Sequence, residues 1–294
     1  MSTTLSSVRS IITNPRHQVF FIDNFGVLKT ADGPIKGTAQ TMAEIRRLGK
    51  TAVIVSNSAN YSVQQLQQEL AINGIDLPQK HIVTSGSLLA EYYSTRNLQG
   101  ARSLVLGNDV TKEYVISAGG VVMDNREALR HHQDIQAVVI GWFAVPDKRE
   151  FPDLPATLFS RLGLLDGRLL NAAFMALARG VPGVIANPDR TIPTQDGLII
   201  GIAPYAEMLE TLTGRTLTRL GKPTSSIFVE ALRRSGAGTR EGIVMVGDTI
   251  ETDILGARNF GIRSLLVLSG NTSQADAEAA KIKPDFIAPS FALD

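Results

Sequence analysis

The chain has 294 residues, 44% hydrophobic and 19% charged, so a packed core is expected and disorder is not. A formal net charge of +1 gives no bulk attraction to nucleic acid or to an anionic membrane. There are no cysteines, which excludes disulfides and thiolate metal sites, and no apolar run reaches the roughly 18 residues a membrane helix needs.

The opening segment, "MSTTLSSVRSIITNPRHQ", lacks the continuous apolar stretch of a secretory leader, and the expected location is cytoplasmic. The first strand is predicted in "QVFFID", closed by Asp23. "KGTAQTMAEIRRLGK" follows with helical spacing, placing Met42, Ile45 and Leu48 on one face and ending at Gly49. "TAVIVSNS" reads as the next strand and ends in Ser56 and Asn57. In "SVQQLQQELAINGI" Val63, Leu66 and Leu70 share a face, and the helix stops near Gly74. "HIVTSG", "ARSLVLGN", "AVVIGW" and "GVIANPD" are further strands. "FPDLPATLFSRLGLLDGRLLNAAFMALARG" and "GIAPYAEMLETLTGR" carry helices. "TSSIFVEALRRSGAG" is predicted as a helix with a Thr/Ser cap and terminal glycines. "GIVMVGD" and "RSLLVLSG" complete the series of strands.

The strand runs are unalternated and rich in Val and Ile, the habit of strands covered on both faces. Their alternation with helices implies right-handed βαβ units and a doubly wound, Rossmann-like α/β sheet. The expected organisation is a discontinuous core, residues 1–99 and 202–294, with an inserted α/β domain over 100–201.

Ligands of doubly wound sheets bind beyond the carboxyl ends of the strands. Four groups of residues fall there or beside a helix start: Asp23, Ser56 with Asn57, Lys222 in "LGKPTSS", and Asp248 with Asp253 in "GDTIETD". Each has a plain alternative taken alone: a turn carboxylate, an ordinary turn, a solvated lysine, a pair of helix caps. Together they make one chemistry. Carboxylates from neighbouring strand ends can share a hard cation such as Mg²⁺. A hydroxyl, an amide and an ammonium can hold phosphoryl oxygens, and the positive charges keep an aspartate ionised and nucleophilic.

In order, "DNFGVL", "VSNS", "GKP" and "GDTIETD" resemble the four motifs of the haloacid dehalogenase-like (HAD) hydrolase superfamily. The large insertion, with "ANPDRTIPTQDGLIIG" near its end, is similar to subclass IIA, the NagD-like and nitrophenylphosphatase-like proteins, whose insertion is an α/β cap. The resemblance runs from about His17 to Gly270. It implies a Mg²⁺-dependent phosphohydrolase acting on a small phosphorylated metabolite through an aspartyl-phosphate. Asp23 would be the nucleophile. Ser56, Asn57 and Lys222 would bind the phosphoryl group, with Lys222 bridging it to the nucleophile. Asp23, the Phe25 carbonyl and Asp248 would hold the metal, and Asp253 would order the metal's water ligands. Asn187 and Asp189 in "ANPDRTIP" are candidate substrate or cap contacts, weighed equally against a structural turn.

One residue departs from the pattern. Most phosphatases of the superfamily carry a second aspartate two places after the nucleophile, as acid and then base. Here Phe25 stands there. Acid–base help is worth about 10² to 10⁴ in rate, so turnover rather than binding is in question. A phosphate-binding homologue without turnover is the alternative, and a dehalogenase a distant third, because both metal-site carboxylates are retained. No Gly-x-Gly-x-x-Gly follows a strand, "LGKPTSS" lacks the P-loop spacing, and His17, His81, His131 and His132 form no metal cluster pattern. Neither substrate nor oligomeric state is readable, and a homo-oligomer is left open.

Overall fold

The computed structural model describes residues 5–142, 166–194 and 197–293. The part of "FPDLPATLFSRLGLLDGRLLNAAFMALARG" before Asp166, and Gln195 and Asp196 of the later stretch, lie outside the described residues. The chain divides into two compact units. The first holds the residues up to Ser56, with Val63–Thr84 and Lys222 onward; the second holds Asn57–Ser62 and Ser85–Gly221.

The first unit is built on a six-stranded parallel sheet. Its order is Phe286–Ala288, Arg263–Val267, Ile243–Gly247, Val19–Ile22, Thr51–Ser56, Ile82–Thr84. Val19–Ile22 lies at the centre and is buried at all four positions, as its unbroken apolar run predicts. Helix Thr38–Arg47 buries Thr38, Thr41, Met42 and Ile45, while Leu48 is its half-buried C-cap. Helix Val63–Ile72 buries Leu66 and Leu70, with Val63 only half-buried. Helix Ser225–Ser235 ends at Gly236, whose φ of 75° favours glycine. The expected side-chain cap at its start is not formed; the Thr224 hydroxyl instead meets Ser226 Oγ at 3.1 Å.

The second unit has its own parallel sheet, in the order Thr218–Arg219, Gly183–Ile185, Ala137–Ile140, Arg102–Leu106, Val121–Val122. An antiparallel pair, Thr191–Thr194 and Gly197–Ile200, accompanies it. This unit is wider than the span 100–201, for a reason of packing. Residues 85–99 join it because Tyr92 and Tyr93 are buried there, the Tyr92 hydroxyl donating to the Gly183 carbonyl (3.3 Å) and Tyr93 lying 2.8 Å from Ser103 Oγ. Residues 202–221 join it because Ala203, Tyr205, Ala206 and Leu209 of helix Ala203–Thr213 share a core with Leu169, Ala173 and Leu177 of helix Gly167–Ala178. No described helix is long and apolar enough to cross a membrane.

Candidate active site

Parallel register brings the strand ends of the first unit together. Ile22 pairs with Val246 on one side and Ile54 on the other. Asp23 therefore leaves the sheet beside Gly247-Asp248, and its own N–H donates to the Val246 carbonyl (2.9 Å). Asp253 follows on a single π-helical turn, Ile250–Ile254, a feature that recurs at functional sites. Asp23, Asp248 and Asp253 each offer an oxygen within 4.8 Å of the others, the one such cluster among the described residues.

Lys222 enters this cluster with 1% of its side chain exposed. Its Nζ lies 2.8 Å from Asp23 Oδ1 and 2.8 Å from Asp253 Oδ1. The other Asp253 oxygen accepts the backbone N–H groups of Asp248 (3.2 Å) and Thr249 (3.1 Å). Asp253 is thus bound to the lysine on one side and to the Asp248 turn on the other.

Asp248 is held by a loop that sequence reasoning missed. The Asn271 N–H donates to Asp248 Oδ2 (2.7 Å), and the Asn271 side-chain amide donates to Thr249 Oγ1 (3.0 Å). Thr249 Oγ1 in turn donates to Asp248 Oδ1 (3.1 Å). Ser269 Oγ donates to the Gly26 carbonyl (2.7 Å). Two glycines make room: a Cβ on Gly26 would come within 2.1 Å of Asp248 Oδ2, and one on Gly270 within 2.0 Å. The available signal was the Gly270 that ends "RSLLVLSG", since that strand lies next to the one bearing Asp248.

Charge is unbalanced here. Three carboxylates face one ammonium in a buried place. Burial pushes the Asp248 carboxyl up to about 7, with Asp253 adding to the shift and the Asn271 N–H opposing it. The Asp23 carboxyl is also raised, first by burial and then by Asp253 and Asp248, against the pull of Lys222. For Lys222 burial disfavours the charge, but Asp23 and Asp253 outweigh it and its pKa rises. The lysine stays charged while the carboxylates compete, and a cation would relieve that competition.

The remaining predicted residues divide between the units. Ser56 ends its strand in the first unit, buried, with no hydrogen bond from its hydroxyl among the described residues. Phe25 is half-buried, and its carbonyl accepts no hydrogen bond among the described residues. Asn57, Asn187 and Asp189 fall in the second unit and are linked there: Asn57 Nδ2 donates to Asp189 Oδ1 (2.8 Å), and the Asp189 N–H donates to Asn187 Oδ1 (3.0 Å). The "ANPD" segment is therefore a hydrogen-bonded turn, and its one carboxylate, Asp189, orients Asn57.

Comparison with known proteins gives consistent findings. The family model described as haloacid dehalogenase-like hydrolase matches residues 20–121, and one described as HAD-hydrolase-like matches 219–293. The D-glycerol 3-phosphate phosphatase of Mycobacterium tuberculosis is 28% identical over 266 residues, 90% of this chain and 67% of that protein. Among solved structures, the 4-nitrophenylphosphatase of Thermotoga maritima is similar with a TM-score of 0.79 at 25% identity, over 96% of this chain and 97% of that one. The M. tuberculosis glycerol phosphate phosphatase in complex with magnesium gives 0.76 at 26% identity, over 98% of this chain and 78% of that one. Asp23, Ser56 and Asn57 lie inside the first matched span and Lys222, Asp248 and Asp253 inside the second, and the chain belongs to the haloacid dehalogenase-like hydrolases.

Proposed function

We propose that this protein is a Mg²⁺-dependent phosphatase of a small phosphorylated metabolite, working through an aspartyl-phosphate on Asp23. The observation that carries the reading is the buried cluster of Asp23, Asp248 and Asp253 around the single ammonium of Lys222. The phosphatase and magnesium-complex relatives support it. The donors are hard oxygens with excess negative charge, which suits Mg²⁺. Asp23, Asp248 and the Phe25 carbonyl would hold it. When bound, it supplies positive charge to the phosphoryl oxygens as negative charge develops on them.

An Asp23 oxygen would attack phosphorus while the bond from phosphorus to the ester oxygen breaks, that oxygen leaving with the electron pair. Water would then attack the phosphorus of the aspartyl-phosphate, releasing phosphate and restoring the carboxylate. Lys222 would bridge Asp23 and the phosphoryl oxygens. Ser56 and Asn57 would donate to the same oxygens. Asp253 acts from behind, because its oxygens already hold Lys222 and the Asp248 turn. The second compact unit would be the inserted cap that selects the leaving group.

Phe25 can neither protonate the leaving oxygen nor activate water. Leaving groups that depart without a proton, aryl or acyl phosphates, would therefore react best. Phe25 also favours the second reading, a phosphate-binding protein without turnover. A phosphate-release screen with Mg²⁺, an Asp23→Asn control and mass spectrometry of quenched mixtures decides between them. Phospho-Asp23 and released phenol support the enzyme; absence of both across the screen overturns that reading.

A further inference from the structure

The opposite edge of the same sheet carries a second constellation. Where Val19–Ile22, Ile243–Gly247, Arg263–Val267 and Phe286–Ala288 begin, a cleft of about 770 Å³ is lined by Arg16, His17, Arg240, Glu241, Arg263 and Phe286, among others. Strands of four or five residues separate it from the carboxylate cluster, about 15 Å at the usual rise per residue.

His17 is 4% exposed. Its Nδ1 lies 2.9 Å from the Ile11 carbonyl oxygen, which can only accept, so that nitrogen carries the ring proton. Nε2 is left with no hydrogen-bond partner among the described residues. The ring packs edge-on against Phe286, centroids 5.7 Å apart, which fixes its orientation.

Three guanidiniums share the cleft with one carboxylate, Glu241. Arg16 is exposed, and its side chain pairs with nothing among the described residues. Arg263 lies 3.7 Å from Asp285, both well exposed, a contact worth little in water. Arg240 forms a fixed wall: it donates to the Phe260 carbonyl (2.9 Å) and lies 4.1 Å from that ring's centroid. The loop beside it is pinned, since a Cβ on Gly242 (φ +74°) would come within 2.6 Å of the Arg16 carbonyl oxygen.

We propose that this cleft binds the free hydrogen phosphate ion at a site separate from the carboxylate cluster. Arg16 and Arg263 donate to the phosphoryl oxygens, the geometry guanidinium suits. With Nδ1 against the Ile11 carbonyl, His17 Nε2 is placed to accept from the P–OH. Sulfate, which carries no proton at neutral pH, lacks that last bond.

The test is nuclear magnetic resonance of the four histidine rings of the full chain in a chelator, with the His17 signal assigned by its loss in His17→Gln. Inorganic phosphate, methyl phosphate and sulfate are titrated in turn. At neutral pH a saturable shift of the His17 signal is expected with inorganic phosphate, while methyl phosphate, mostly a dianion without P–OH there, should respond as weakly as sulfate. The response to inorganic phosphate should weaken about tenfold in Arg16→Ala/Arg263→Ala, whose substituted side chains are exposed, and about tenfold with sulfate. An unmoved His17 signal, a shift that survives the double substitution, or an equal response to sulfate overturns the proposal.

Discussion

Two parallel sheets in one chain are built alike and end differently. In the first, two neighbouring strands are followed by carboxylates, Asp23 and Asp248, which share a buried cluster with Asp253 and the ammonium of Lys222. In the second, two strands are followed by neutral residues that bind locally. Asn108, after Arg102–Leu106, accepts the N–H of Thr111 (3.0 Å) and caps helix Asp109–Ser117. Asn187, after Gly183–Ile185, accepts the N–H of Asp189. The central strands of both sheets are apolar and buried, so they alone do not distinguish a charged edge from a neutral one. The difference lies in one or two residues past each strand, and in whether their polar groups are satisfied by their own turn or by a distant segment.

The largest effect should follow from breaking the charged edge at its centre. Asp23→Asn is expected to lower phosphate release at least about 10³-fold, as loss of a covalent nucleophile does. Its fold should survive, because the amide is isosteric. Activity within tenfold of the parent would show that the first edge is no more reactive than the second.

Lys222→Ala comes next. It leaves three carboxylates with no counter-ion, and unpairing a buried charge costs about 3–5 kcal/mol. Denaturant unfolding should show that loss, and magnesium should recover part of it. An unchanged midpoint would mean that the cluster is solvated and resembles an ordinary surface.

Acidity sharpens the comparison without any substitution. The Asp248 carboxyl is raised from 3.8 to about 7, and Asp23 is raised as well. Between about pH 4 and 7 the folded chain therefore holds protons that the unfolded chain has released. The metal-free protein should lose stability as pH rises through that window, by up to a few kcal/mol at roughly 1.4 per pKa unit. Mg²⁺ should remove the loss at pH 8. Asn108 and Asn187 contribute nothing to such a profile. Melting in a chelator at pH 5 to 8, then with Mg²⁺, reads it; a flat chelator profile contradicts the buried-cluster electrostatics.

The sequence exposed the strands well because an unbroken run such as "VFFI" or "GIVMVG" admits few other fates. All eight such runs are strands. It did not expose Val121–Val122 or Thr218–Arg219, since two residues carry no periodicity. Asp23, Lys222 and Asp248 were legible because their polarity interrupts apolar runs or accompanies a turn. The support from Ser269, Gly270 and Asn271 was not, because a backbone N–H leaves no mark on residue type and small polar side chains after a strand read as an ordinary turn. The link between Asn57 and Asp189 spans 132 positions, and no local pattern could reveal it.

A smaller effect concerns the residue that departs from the family. Phe25→Asp should raise turnover of alkyl phosphates by about tenfold or more, while aryl phosphates change little. Phosphate release from matched alkyl and aryl substrates measures the ratio. Equal gains on both would mean that the substitution acts through the metal site rather than through proton transfer.

The smallest effect belongs to the neutral edge. Asn108 Oδ1 accepts from the Thr111 N–H (3.0 Å) and from the Thr111 hydroxyl (3.1 Å), which lies against the Ala59 carbonyl (3.3 Å). Asn108→Ala removes a cap and leaves those donors to find water, a loss of about 1 kcal/mol. Asn108→Asp should keep the cap, because a carboxylate accepts the same bonds and sits favourably at a helix start. Both variants should keep the parent's phosphate release per folded molecule. Denaturant midpoints and rates measured on one preparation give both numbers. A rate change in Asn108→Ala that Asn108→Asp does not reverse would show that the second sheet's strand ends also serve the chemistry, and the contrast between the two edges would fail.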